Sequence, residues 1–360
     1  MINYLLAALT ATILTILTTP VTIILAKKFN FIDYPTRKHP AIVHDKPIPR
    51  AGGLPILVTL LILVPLFITP LDKRFIAILA SSVLVVFTGL VDDKYDLSPY
   101  LRFGLNILAA LIVVGAGVGI TWISNPLDTQ IRFDSLIWSF EFLGRTRNIV
   151  VLADLFALGW IVWMMNAINW SKGVDGQMPG IAAISTVVLG LVALKYAQND
   201  PTQWPVVILA MIVSGAYLGF LFFNVYPQKI MPGYGGGALA GFMLAVLSIL
   251  AGGKLATTLL VLAIPLADAV FAILRRLYHK KSPFWGDRGH LHHKLLELGW
   301  SKRKIALFYW VVCAVLGIVA LNLDSQTKFF AVVMLGLVIL AVLLTLTYLL
   351  NKKGTILSKN

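Results

Sequence analysis

The chain has a single cysteine, Cys313, in 360 residues, so no disulfide can form within it, and cysteine usage leaves the redox compartment open. Charge is scarce too. Asp, Glu, Lys and Arg make up 13% of the residues, against about 25% in soluble domains. The shortage is sharpest in acids, 16 against 30 Lys and Arg. A soluble fold of this size cannot hide a composition that is 58% hydrophobic. A bilayer can, because its core is itself an apolar solvent. The formal charge of +14 would suggest nucleic acid in a soluble protein, but in a membrane protein basic loops report orientation, and no nucleic-acid partner is expected. The first apolar run, Tyr4 to Ala26, is too long for the core of a signal peptide and lacks a basic region before it, so it is expected to be a retained helix.

A helix needs about 20 apolar residues to cross the hydrocarbon. Candidate spans lie near 4–26, 52–70, 75–91, 103–121, 149–166, 181–196, 205–223, 238–252, 255–273, 305–321 and 329–350. The expected fold is all-α and polytopic, with about 11 transmembrane helices in one domain covering 1–360. The loop after the first span carries Lys27, Lys28, Arg37, Lys38, Lys46 and Arg50, and the loop after the ninth is the most basic of all. Placing the N-terminus outside puts 22 of the 30 basic residues on the inner side, as the positive-inside rule requires. The C-terminus is then cytoplasmic. The segments rich in Gly, Pro, Asn, Asp and His, within 27–51, 92–102, 166–180, 224–237 and 274–304, all become cytoplasmic loops. A secondary transporter would instead need a polar site near the midplane, and few charges lie there.

Each loop has a chemical and a bland reading. Asp92-Asp93 ends the third span, where the helix dipole already disfavours negative charge; it is a solvated helix end, a general base or a metal-linked pair. Asn166 and Asn169, three apart, share a helix face and lead into Lys172-Gly173-Val174-Asp175-Gly176. The set is a polar cap and turn, or a seat for nucleotide or metal. Gly233-Tyr234-Gly235-Gly236-Gly237 reads as a flexible hairpin or as an anion site at a helix start. In Asp287-Arg288-Gly289-His290-Leu291-His292-His293, a helix would place His290 and His293 on one face, to bind phosphate, move protons or ligate metal. Arg50 follows a Pro-rich elbow and can meet a phosphate. Asp154 and Asp268 fall within spans and read as structural; Arg275, seven residues after Asp268, can lean toward it.

Taken in order, Asp33-Tyr-Pro35, Pro47-Ile-Pro49-Arg50-Ala-Gly52-Gly53-Leu54, Gly89-Leu-Val-Asp92-Asp93, Asn166-Ala-Ile-Asn169 with Gly173-Val-Asp175-Gly176, and Asp287-Arg288 with His290-Leu-His292-His293 resemble the polyprenyl-phosphate N-acetylhexosamine-1-phosphate transferases, the superfamily of the phospho-N-acetylmuramoyl-pentapeptide transferase. The histidine loop looks like the GlcNAc-1-phosphate branch. The resemblance implies a prokaryotic cytoplasmic membrane enzyme, with a homodimer among its expected forms, that moves a sugar 1-phosphate from a UDP-sugar to a polyprenyl phosphate and releases UMP. It implies Asp92, Asp93 and Asp175 as catalytic acids. Asn166, Asn169, Lys172, Arg50, Asp287, Arg288, His290, His292 and His293 would bind substrate. It also implies Mg2+ or Mn2+, with Asn169 and Asp175 as candidate ligands. Two positions depart from the family pattern: Lys172 and Tyr234 stand where the family has aspartates. Either the Lys172 ammonium takes over part of the metal's role, or phosphotransfer is lost and a phosphate- or UDP-sugar-binding site remains.

Overall fold

A computed structural model describes residues 2–36, 43–124, 130–142, 145–282 and 288–357. Thirteen helices dominate it: α1 (Ile2–Lys28), α2 (Gly53–Phe67), α3 (Lys73–Tyr95), α4 (Pro99–Gly115), α5 (Val151–Trp170), α6 (Gln177–Ala197), α7 (Trp204–Asn224), α8 (Gly233–Leu250), α9 (Leu255–Val261), α10 (Ala263–Tyr278), α11 (Leu291–Glu297), α12 (Lys302–Asn322) and α13 (Ser325–Leu357). Eight of these are long and apolar enough to cross a membrane, and α2 and α4 are shorter apolar helices. The protein is an all-α polytopic membrane protein. Each expected span overlaps a helix, but against the expected 11 only eight of the described helices, or nine with one bent pair, have the length and composition of a crossing. The ninth expected span is broken into α9 and α10, which meet at 85°. Pro265 lies in the first turn of α10, where its missing N–H costs nothing; in a continuous helix its ring would clash with the carbonyl of Val261, the last residue of α9.

The helices also run further into the expected loops than the apolar pattern does. α3 continues through Asp92 and Asp93, α5 through Asn166 and Asn169, and α10 to Tyr278. Polar residues there do not end a helix, because caps do. Asp72 accepts the N–H groups of Arg74 and Phe75 at 2.8 and 3.2 Å, starting α3. Ser98 accepts the Leu101 N–H at 3.2 Å, starting α4 with Pro99 in its first turn.

Helix α8 is the hub. It is buried from Gly233 to Ile249, as expected of a helix apolar all round, and packs against α3, α5 and α6. α1 and α7 meet along Gly215 and Gly219, where an added Cβ would come 2.2 Å from the Ala8 carbonyl oxygen and 2.5 Å from that of Thr12. Such small residues four apart let membrane helices approach closely. Short antiparallel strands complete the fold: β1 (Ile32–Asp33) with β2 (Ile48–Pro49) at one end of the bundle, and β3 (Trp122–Ser124) with β4 (Gln130–Arg132) and β5 (Ile137–Phe142) with β6 (Arg145–Val150) at the other. The two far-end hairpins occupy a segment whose apolar pattern gave no sign of strands.

Candidate active site

Most of the polar residues singled out above gather at one end of the bundle, in three groups around the turn at 171–176 between α5 and α6, while Asp154 lies in the first turn of α5 at the other end and accepts the Val150 N–H at 3.1 Å.

The first group surrounds the last turn of α3. Asp92 and Asp93 are both buried there, at a helix end that opposes negative charge. Cations from other elements answer that charge. Arg102, in the first turns of α4, gives its Nη1 to both Asp92 oxygens at 3.2 and 3.3 Å. Arg50, carried between β2 and α2, places Nη2 3.0 Å from Asp93 Oδ1 and Nη1 3.6 Å from Asp33 Oδ1. Burial works against the Arg50 charge, but Asp93 and Asp33 outweigh it and raise its pKa. Asp93 Oδ1 also accepts the Tyr234 N–H at 3.0 Å, at the positive end of α8. Lys172 enters from the turn. Its Nζ donates to the Gly233 carbonyl at 2.8 Å and lies 5.9 Å from the centre of the Tyr234 ring. Burial, partly offset by Asp93, lowers the Lys172 pKa to about 8. The Arg102 guanidinium lies 5.3 Å from the same ring, and Asn106 donates to the Tyr234 hydroxyl at 2.9 Å.

The glycine run that opens α8 serves this group, though neither as a flexible hairpin nor as an open anion cradle. All five residues 233–237 are buried. Gly233 has φ +68°, and a Cβ there would sit 2.0 Å from Asp93 Oδ2. A Cβ on Gly89 of α3 would meet Gly235 backbone at 2.2 Å, and one on Gly53 of α2 would meet Gly236 nitrogen at 2.8 Å. The glycines bring α2, α3 and α8 together closely enough for Arg50, Asp93 and Tyr234 to touch.

The second group is built on Asp175, buried at the end of the turn. It accepts the Gln228 backbone N–H at 3.2 Å and the Gln228 side-chain amide at 3.1 Å, and Lys302 of α12 stands 3.7 Å away. The neighbouring Gly176, at φ +79°, gives its N–H to Asn224 at 3.0 Å.

The third group holds the histidines. His290 is the N-cap of α11 rather than part of it, so the expected shared helix face with His293 does not form. Its Nδ1 lies 2.8 Å from Asp268 Oδ2, and Asp268 Oδ1 accepts the Leu291 N–H at 2.8 Å. Asp268 therefore fixes the start of the histidine helix. Arg275, which the sequence aimed at Asp268, lies against Gly289. His292 stacks on His290 with centroids 5.6 Å apart and meets His293 at 4.3 Å. Burial, reinforced by His293 and His290, holds the His292 imidazole well below the usual histidine range, so it is neutral at pH 7. It also packs on Gly173, where a Cβ would come within 2.1 Å of the ring. One turn thus touches all three groups, through Lys172, Gly173 and Asp175.

Other expected residues stand at the margins. Asn166 turns its amide back to the Val162 carbonyl at 2.7 Å. Asn169 faces Gly237 of α8, with its buried Oδ1 unpartnered among the described residues. Arg288 lines a basic cavity of about 340 Å³ with Arg275, Arg276, Lys281 and Lys294. Asp287 lies outside the described residues. Arg102, Asn106, Asp33, Gln228 and Lys302 were not among the expected site residues. Two acids outside that expected set carried a signal in the sequence: Asp33, within the Asp33-Tyr-Pro35 motif, and Asp268, an acid inside an apolar span.

The residues present do not fit a resident divalent cation. Mg2+ is usually held by one or two carboxylates together with substrate phosphates and waters. Here Asp92, Asp93, Asp175 and Asp268 each face Arg102, Arg50, Lys302 or His290. The free oxygen of Asn169 faces helix backbone, and the Lys172 ammonium stands among the acids. No three His, Cys, Asp or Glu side chains come together as a metal group among the described residues.

Residues 75–252 match the family model described as glycosyl transferase family 4. Over 97% of its length the chain is 30% identical to the decaprenyl-phosphate N-acetylglucosaminephosphotransferase of Mycobacterium leprae, covering 91% of that protein. It is 28% identical over 98% of its length to a Bacillus subtilis protein named probable undecaprenyl-phosphate N-acetylglucosaminyl 1-phosphate transferase, covering 94% of it. It is 27% identical over 93% of its length to the undecaprenyl-phosphate alpha-N-acetylglucosaminyl 1-phosphate transferase of Thermotoga maritima, again covering 94%. With end-to-end likeness of this kind and the loop motifs gathered at one end of the bundle, the chain belongs to glycosyl transferase family 4, among the polyprenyl-phosphate N-acetylhexosamine-1-phosphate transferases.

Proposed function

We propose that the chain transfers an N-acetylhexosamine 1-phosphate from a UDP-sugar to a polyprenyl phosphate at the inner surface of a prokaryotic cytoplasmic membrane. The product is a polyprenyl-diphosphate-linked sugar for envelope glycan synthesis, and UMP is released. An oxygen of the lipid phosphate attacks the β-phosphorus, and the bond to the UMP oxygen breaks. A phosphate monoester is mostly deprotonated at pH 7, with a second pKa of about 6, so its oxygen is already nucleophilic and catalysis reduces to alignment and charge neutralisation. Two anions must meet, and Arg50, Arg102 and Lys172 offset their repulsion. Asp92 holds Arg102, Asp93 holds Arg50, and the Gly233 carbonyl holds Lys172. Asp175, through Gln228, and the neutral His292 border the same turn, where the nucleotide and sugar would lie.

The observation that carries this reading is the convergence of Lys172, Gly173 and Asp175 of one turn on three polar groups at one end of the bundle. The test is UMP release by purified protein given UDP-GlcNAc and undecaprenyl phosphate. Turnover is expected, and Asp93→Asn should lower it at least about 100-fold, since Arg50 would lose its buried partner and swing away. A second reading has its own support: both α3 carboxylates are already in ion pairs, as in a site that binds phosphate without chemistry. UDP-sugar binding with no UMP release would select that reading.

A further inference from the structure

Tyr234 is an odd residue to find at the start of a glycine-rich helix beside two carboxylates. Its backbone N–H is given to Asp93, its hydroxyl is held by Asn106, and its ring is left with two cations near it, Arg102 at 5.3 Å and Lys172 at 5.9 Å. An aromatic face attracts a cation within about 6 Å, more strongly when water is excluded. The ring is buried, and its orientation is locked at both ends. It therefore fixes the spacing of an ammonium and a guanidinium that would otherwise repel each other. Arg50 adds a third cation on the far side of Asp93. With Asp33 on the other side of Arg50, three cations stand against three carboxylates before any ligand arrives, so a diphosphate meets no uncompensated negative charge.

We propose that Tyr234 is a positioning residue that holds Lys172 and Arg102 as a fixed pair and, together with Arg50, gives this chain an all-protein cationic seat for the diphosphate of a nucleotide sugar, with no divalent ion needed for binding. The inference rests on the transferase reading and specifies how its donor is held. A Lys ammonium serves as a movable point charge and Arg as a planar fork, so the pair offers a diphosphate both kinds of contact. A divalent ion brought to the same place would meet those cations first.

The test is calorimetric titration of the purified full chain in detergent with UDP-GlcNAc, in EDTA and in excess Mg2+. The parent should bind equally well in both. Lys172→Met should weaken binding in EDTA about 10- to 100-fold, the range for losing one charge-assisted hydrogen bond, while Lys172→Arg retains most of it. Tyr234→Phe keeps the ring but loses its hold on Asn106 and should retain most of the binding, whereas Tyr234→Leu should fall with Lys172→Met. Lys172→Asp should restore a dependence on Mg2+, a readout that mere structural damage does not produce. Thermal unfolding of each variant identifies any that fail to fold, and Lys172→Arg and Tyr234→Phe keep the comparison intact in that case. Parent binding that vanishes in EDTA and returns with Mg2+ overturns this inference alone. Parent-like binding by Tyr234→Leu overturns the role of the ring. Absence of binding in both buffers overturns the transferase reading along with the inference.

Discussion

At the scale of single residues, Lys172 joins the site to solution pH. Burial lowers its pKa from the ordinary 10.5 to about 8, so the ammonium is lost as pH rises through that value. UDP-sugar binding should weaken progressively above pH 8, and Lys172→Arg should flatten the profile because a guanidinium stays charged. Stability moves the other way. Between about 8 and 10.5 the unfolded chain binds the Lys172 proton more than the folded one, so this residue makes unfolding harder as pH rises across that window. Calorimetry and thermal melts run from about pH 7 to about pH 10, which enters the window in which the two signs differ, distinguish lost affinity from lost fold. A parallel loss of both would remove Lys172 from the explanation. Asp92, Asp93, Arg50 and Lys172 were legible as a set because each sits in a short polar segment beside an apolar span. The pairing of Asn106 with Tyr234 was not, although Tyr234 itself stood out as a departure from the family pattern. The two meet across 128 positions, and an Asn within an apolar helix carries no pattern that names its partner.

At the scale of elements, glycine spacing decides how closely the helices bring those residues together. Gly89→Ala would put a Cβ 2.2 Å from the Gly235 backbone, where neither helix has a flexible side chain to yield. Overpacking of that kind typically costs about 1–3 kcal/mol. It should also push α3 from α8, so the variant is expected to lose thermal stability and UMP release together. Gly104→Ala on α4 meets nothing within 4 Å and should leave both unchanged, which makes it the control. Equal behaviour of the two variants would mean that the α3–α8 contact does not set the site. The sequence announced most helices through apolar run length, and it contained the break in the ninth span in the form of Pro265. It also contained the α1–α7 seam, as Gly215 and Gly219. Both were hidden by reading hydrophobicity alone, since neither a proline in an apolar run nor a pair of glycines changes the apparent length of a span. The far-end hairpins were illegible for a different reason: strand pairing depends on register between segments, not on the pattern within one.

At the scale of the whole molecule, orientation turns a polar bundle end into an enzyme that can reach its donor. The site end carries Lys27 and Lys28 at the close of α1, Lys94 at the close of α3 and the Arg275–Lys304 stretch around α11, and basic residues favour the cytoplasmic side. The opposite end carries the start of α1 and the hairpins of β3–β6. Only one buried cysteine exists, Cys313, at 2% exposure, so single cysteines can be introduced without removing it. Tyr95 at the site end is 68% exposed and Trp138 on β5 is 62% exposed. In intact bacterial cells a membrane-impermeant maleimide should label Trp138→Cys, while Tyr95→Cys should react only after the membrane is opened. The parent should stay unlabelled in both conditions. The reverse pattern would place Asp93, Lys172 and Asp175 outside, away from a cytoplasmic pool of nucleotide sugar, and the transferase reading could not stand whatever the geometry of the site. The expected pattern would make the positive charge serve two ends at once, since the cations that set the topology also create the field that draws two anionic substrates to the inner leaflet.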